Sequence, residues 1–280
     1  MLFDSHTHIN YEEYSELERE AVIDAIAGSK VDYIMNVSTD LETSAMTVKQ
    51  AGAIDWCYGA VGFHPHCAKD MTDVELSMIR SLAKKDKICA IGEIGLDFHY
   101  DYSDRDVQRE VFRKQIRLAN ELKMPIIIHS READQECMDI LKDEGAFSDE
   151  RKSWFSQRRV PEGSQWQNAA GDARVLLHCF SGSRELGMQY VKLGGTISVA
   201  GPVTYKGNKK TVGVVETIPI EFLLIETDAP FLTPEPLRGK KNISPYVEFT
   251  ARKMAEIKGM SLEDVAEETM ANAKVFFGID

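Results

Sequence analysis

Histidine is scarce in this chain, and its placement is the first chemical clue. Of seven histidines in 280 residues, His6 and His8 flank Thr7 at the end of an apolar run near the N-terminus. In an extended strand, residues i and i+2 project to one face, so two imidazoles there can grip one ion. An isolated H-x-H fits two polar residues entering a loop just as well. Four further groups alter that balance. Glu93 follows the apolar run 88–92, His129 follows 125–128, His178 follows 174–177, and Asp228 follows the run that ends at 227. Each is an imidazole or carboxylate at the C-terminal end of an apolar stretch. Four imidazoles and two carboxylates exceed what one tetrahedral ion takes. They suit two divalent ions sharing a carboxylate, about 3.5–4 Å apart. Such a donor set fits Zn, Mn, Fe or Ni, and admits Mg through carboxylate and water.

Something must carry these distant residues to one place. Eight short runs (2–7, 31–37, 57–62, 88–92, 125–128, 174–177, 196–199 and 222–226) are apolar almost throughout, as strands buried on both faces are. Helix start signals lie between them. Thr39-x-x-Glu42, Thr72-x-x-Glu75 and Ser103-x-x-Asp106 resemble capping boxes, Ser261-x-x-Asp264 opens a last helical region toward Phe277, and Ser244-Pro245 offers an N-cap followed by proline. Strand alternating with helix predicts parallel β-α units. Eight of them predict one α/β domain over residues 1–280, a (β/α)8 TIM barrel whose metal site lies at the C-terminal ends of the strands. An open doubly wound sheet is the alternative on pattern alone. Residues 145–172 break the rhythm as a polar, irregular insertion between the fifth-strand helix and the sixth strand. Loops of that length are often functional.

The composition is that of a soluble enzyme, with 43% hydrophobic and 28% charged residues. The five scattered cysteines have no C-x-x-C spacing, which reads as reduced thiols in a cytoplasmic protein. There is no apolar run of membrane-spanning length and no signal-like start. A monomer without an obligate protein partner is expected. The net charge of −12 argues against a protein that coats nucleic acid non-specifically, but not against an enzyme whose site is locally cationic.

Taken together, the motifs resemble those of the TatD family of metal-dependent deoxyribonucleases and hydrolases, within the amidohydrolase-like group. The segments that carry the resemblance are Phe3-Asp4-Ser5-His6-Thr7-His8, Gly62-Phe63-His64-Pro65-His66, Ile91-Gly92-Glu93-Ile94-Gly95-Leu96-Asp97, Pro125 through Arg131, Leu177-His178-Cys179-Phe180-Ser181-Gly182, and Glu226-Thr227-Asp228-Ala229-Pro230. The helix from Gln108 to Ala119 matches as well, so nearly the whole chain is covered. The resemblance implies that His6, His8, Glu93 and Asp228 hold one ion and Glu93, His129 and His178 a second, with Glu93 as bridge. It also implies that Asp228 orients or deprotonates the attacking water, and that the ions are two divalent metals (Mg, Mn or Zn). The implied substrate is DNA, single-stranded or 3′-ended. Aminoacyl esters, as in D-aminoacyl-tRNA deacylases, or another small ester or amide are the alternative. The chain departs from the family twice. The 145–172 insertion is long, and the family's R-N-E-P reads Lys241-Asn242-Ile243-Ser244.

Other residues are candidates for contacting substrate. His64, before Pro65 at the end of the third run, is the expected donor to a phosphoryl oxygen, and His66 a second. Arg131 offers a fork-shaped phosphate contact. Lys206, Lys209, Lys210, Arg238, Lys240 and Lys241 follow the seventh and eighth runs, where barrels often bind phosphate. The insertion carries Arg151, Lys152, Trp154, Phe155, Arg158, Arg159 and Trp166. Basic residues among aromatics are one way to follow a single strand. Packing against the barrel is the other use of that composition.

Overall fold

The alternation expected from the sequence is the alternation observed. A computed structural model describes residues 1–160, 162, 166 and 171–280. Eight strands run β1 Leu2–Thr7, β2 Val31–Val37, β3 Cys57–Val61, β4 Ile88–Asp97, β5 Ile126–Arg131, β6 Val175–Leu177, β7 Thr196–Val199 and β8 Leu223–Ile225. They form one parallel sheet in sequence order. The sheet closes on itself between β8 and β1. Thr7 bridges Ala229, the Asp228 amide donates to the His6 carbonyl at 3.0 Å, and the Thr227 amide donates to the buried Asp4 carboxylate at 2.8 Å. This is a TIM barrel, with helices packed outside the strands.

The barrel is filled in layers. Phe3, Met35, Ala60, Ala90, Ile127, Leu176 and Leu224 form the lower interior. Phe276 and Phe277 of the last helix, Leu262–Phe277, close it from below, with Phe277 stacked on Phe3 at 5.8 Å. A second cluster, including Ile34, Val61, Ile91, Phe112 and Ile197, joins strands to helices.

Two strands change their alternation partway, and both changes serve the upper layer. In β1 the register passes from Asp4↔Ile34 to Thr7↔Asn36, so three steps oppose two. In β4 it passes from Ile91↔Ile126 to Ile94↔Ile128 in the same way. One extra residue reverses which face later side chains take. Phe3 can therefore fill the lower core while His6 turns inward above it, and Ala90 likewise below Glu93. The run 88–92 was expected to end the fourth strand, but β4 continues to Asp97. Gly92 and Gly95 hide the continuation in sequence. Gly95 has φ +147°, and a Cβ there would lie 1.9 Å from the His129 carbonyl oxygen.

The caps refine the expected helix starts. Thr72 and Ser261 cap as expected. The helix Leu41–Ala53 is capped by Asp40 rather than Thr39. The helix Arg105–Leu122 is capped by Asp104, because the Ser103 hydroxyl instead donates to the His66 carbonyl at 2.8 Å. Ser244-Pro245 opens a short 3-10 turn ahead of the helix Val247–Lys258.

The described part of the 145–172 segment lies at the strand starts, away from the C-terminal ends. Arg151, in the short helix Asp149–Ser153, is fully buried. It donates to the Ala173 carbonyl (2.8 Å), the Met124 carbonyl (2.8 Å) and Asn120 Oδ1 (2.7 Å). Arg158 donates to the Glu221 carbonyl and Thr196 Oγ1. Phe155 lies under the Arg151 and Arg174 guanidinium groups, and Trp166 packs near Phe222. The bases and aromatics considered for strand-tracking are thus largely occupied in holding this segment to the barrel's underside. Among the described residues, no helix is long and apolar enough to cross a membrane.

Candidate metal centre

The six residues singled out by type and spacing converge. His6 and His8, turned inward by the β1 bulge, bring their Nε2 atoms within 3.2 Å of each other. Glu93 Oε2 lies 3.4 Å from His6 Nε2 and 3.9 Å from His8 Nε2. Asp228 Oδ1 lies 3.4 Å from His8 Nε2 and 3.9 Å from His6 Nε2. Asp228 reaches this position from a left-handed backbone, φ +55°, at the end of β8, a conformation that Asp tolerates better than most residues. The other oxygen of the same glutamate serves a different group. Glu93 Oε1 lies 2.7 Å from His129 Nδ1, 2.7 Å from His178 Nε2 and 3.5 Å from His64 Nε2.

The donor set suits cations. His6, His8, Glu93 and His178 are buried and His129 and Asp228 half-buried, with their nitrogens and carboxylate oxygens turned toward one another. His8 Nδ1 sits 2.8 Å from the Val37 carbonyl, which can only accept, so Nδ1 carries the proton and Nε2 presents its lone pair. Fixing a tautomer through the outer nitrogen is usual for metal-binding imidazoles. His129 Nε2 faces Asp97 Oδ2 at 3.1 Å, leaving Nδ1 toward Glu93. His178 Nδ1 faces Glu226 Oε1 at 3.4 Å. Burial acts against the Glu93 charge, yet the imidazoles of His178, His64 and His129 hold it well below the usual carboxylate range. Burial likewise opposes a charged His178, but Glu93 and Glu226 outweigh it and raise its pKa well above the ordinary value.

His64 has the opposite tautomer. Its Nδ1 accepts the His66 amide at 3.1 Å, so in the neutral ring the proton is on Nε2. Burial drives its pKa well below the ordinary value, only partly opposed by Glu93. His64, Glu93 and His129 are close enough to share an ion, but a proton-bearing Nε2 is a donor rather than a ligand.

Several supporting residues escape a motif reading. Asp97 Oδ2 lies 2.9 Å from His66 Nε2 and 3.1 Å from His129 Nε2. Glu226 forms a possible ion-holding group with His6 and His178. Its oxygens, however, already take the Cys179 amide at 2.7 Å and the Ser198 hydroxyl. Spacing from the expected site residues is the signal that could have found both carboxylates. Glu226 is two residues before Asp228, and Asp97 shares a strand face with Glu93 once β4 is known to continue. Gln108 and Gln115, two helical turns apart, are buried on one face of the helix Arg105–Leu122. Gln108 exchanges hydrogen bonds with the Asp97 backbone, and Gln115 with that of Phe63, next to His64. One helix face thereby fixes two strand ends.

At the rim, Arg131 is exposed at the end of β5 and lies 4.7 Å over the Tyr100 ring. Lys206, Lys209, Lys210 and Lys240 are exposed. Lys241 is committed to Glu18 at 3.1 Å, and Arg238 covers Tyr205 at 4.4 Å. Asn242, within the divergent Lys241-Asn242-Ile243-Ser244 stretch, is buried and donates to the Thr227 and Phe231 carbonyls.

With this geometry in view, the comparisons with known proteins are specific. The family model described as TatD related DNase matches residues 3–278. An uncharacterized metal-dependent hydrolase of Bacillus subtilis, YabD, is 42% identical over 280 residues, covering all of both chains. A 3′-5′ ssDNA/RNA exonuclease, TatD, of Klebsiella pneumoniae is 28% identical, covering 100% of this chain and 98% of its own. Among solved structures, the TatD homologue YJJV of Escherichia coli superposes with a TM-score of 0.84 at 26% identity, covering 100% and 98% of the two chains.

Proposed function

The chain belongs to the TatD-related DNase family, and we propose that it is a metal-dependent hydrolase that cleaves phosphodiester bonds in single-stranded or 3′-ended DNA. The observation that carries this reading is the division of Glu93. One oxygen faces His6 and His8, the pair that Asp228 also approaches, and the other faces His129 and His178. That is what a carboxylate shared by two cations requires. The Klebsiella relative that acts on single strands supports the substrate class.

In this reading His6, His8, Glu93 and Asp228 hold one divalent ion, and Glu93, His129 and His178 hold the other. When bound, such ions supply Lewis acidity and bring the pKa of a water toward neutrality. The residues do the rest. Asp228 is the more accessible of the two carboxylates, 14% against 4% for Glu93, and takes the proton of the attacking water. His64 donates from Nε2 to a phosphoryl oxygen as charge builds there. Asp97 keeps His129 in the required tautomer through its contact with Nε2, and the Glu226 carboxylate, 3.4 Å from His178 Nδ1, favours a proton on that nitrogen.

The test is hydrolysis of single-stranded DNA by the purified protein with Mg, Mn or Zn, with and without chelator, beside an aminoacyl ester. Metal-dependent DNA cleavage abolished by chelator is expected. Ester hydrolysis without DNA cleavage would overturn the phosphodiester assignment.

A further inference from the structure

Beyond β4 the chain exposes two large rings that the chemistry above does not use. Tyr100 is 46% and Tyr102 59% accessible. Their rings are parallel within 2°, with centroids 5.3 Å apart. The Arg131 guanidinium lies over Tyr100. His66 sets its edge against both, at 5.6 Å and 4.8 Å, and its ring is 4.3 Å from that of His64. The pile therefore begins one imidazole away from the proposed phosphoryl donor. It is anchored through the His66 contact with Asp97.

We propose that Tyr100 and Tyr102 form a nucleobase platform. The base next to the scissile phosphate stacks on Tyr102, and Arg131 pairs with an adjoining phosphate. This rests on the nuclease reading and deepens it. Flat aromatic faces beside a fork-shaped cation are the combination that holds single strands, and they do so without reading sequence. A second aromatic wall, Tyr11 and Phe231 at 5.4 Å, lies on the His8 side. Glu12 and Glu13 act on Tyr11 there, and two carboxylates disfavour a phosphate chain. On the Tyr100 side the carboxylates of Asp101 and Glu132 already have partners, Arg105 at 2.7 Å and His99 at 2.7 Å, which leaves the Arg131 guanidinium to meet a phosphate.

The experiment uses the full chain with Mn and two single-stranded oligodeoxynucleotides, one normal and one abasic at the nucleotide beside the cleaved bond. Wild type should favour the normal substrate. Tyr102→Ala should raise KM for it by about tenfold, exceed any fall in kcat, and make the two substrates equivalent. Tyr102→Phe should restore the preference. Tyr102 is exposed, so an unchanged thermal midpoint is expected in both variants. A Tyr102→Ala enzyme that still distinguishes the substrates as wild type does overturns the platform alone. A wild type inert on both removes the nuclease reading and the platform with it.

Discussion

Two histidines at this site do different work because their backbones hold them in different tautomers. His8 Nδ1 meets a carbonyl, which can only accept. His64 Nδ1 meets an amide, which can only donate. The inward nitrogen is therefore a lone pair in one and a proton in the other, although both rings face Glu93. This predicts a separation of phenotypes. His8→Ala should lose bound metal and with it activity. His64→Ala should keep its metal, measured by elemental analysis, while kcat falls about 100-fold, the usual cost of one transition-state donor. Equal metal loss in both variants would make His64 a ligand and remove it as donor. The sequence alone showed where the imidazoles stood. It did not show their tautomers, because these depend on Val37 and on the turn after Pro65.

At the scale of elements, the site depends on irregularity. Regular alternation along β1 and β4 cannot fill the lower barrel with Phe3 and Ala90 and also aim His6 and Glu93 inward. The bulges resolve that conflict, and Gly95 lets β4 pass against β5 beyond them. Gly95→Ala puts a methyl into the His129 carbonyl at a φ that alanine resists. We expect a loss of about 2–4 kcal/mol in urea unfolding together with impaired metal binding. Wild-type stability would show that the strands have slack. Eight strands in order were legible because buried parallel strands are continuous in hydrophobicity. The continuation of β4 to Asp97 was not, since glycines depress strand propensity where a bulge needs them, and so Asp97 was missed. Helix contacts can be probed through charge. Burial acts against the Glu144 carboxylate, but hydrogen bonds from Arg117 and Arg113 outweigh it and hold its pKa below the usual range. Its contribution is thus complete above the unfolded carboxylate pKa and is lost as pH falls through the lower folded value. Glu144→Gln should cost about 1 kcal/mol at pH 7 and flatten the acid limb of the stability profile. A parallel downward shift at every pH, with the limb unchanged, would point to lost packing instead.

For the molecule as a whole, the barrel separates chemistry from assembly by its two ends. Imidazoles and carboxylates collect where the strands finish. Where they begin, Arg151, Arg158 and Arg174 satisfy backbone carbonyls and Asp172. A composition scan cannot distinguish an arginine that reaches for phosphate from one buried beneath a sheet, because both stand among aromatics. The difference lies in which loop the chain uses, and residues 145–172 precede a strand instead of following one. Arg151→Met tests this division. The substitution keeps much of the volume but leaves the carbonyls of Ala173 and Met124 without their donor. We expect about 2–5 kcal/mol of lost stability, since each buried acceptor left without its donor costs about 1–3 kcal/mol. At a temperature where the variant remains folded, its kcat/KM on single-stranded DNA should match wild type, because the altered end lies across the barrel from Glu93. A stable variant with depressed kcat/KM would instead mean that this segment takes part in handling substrate.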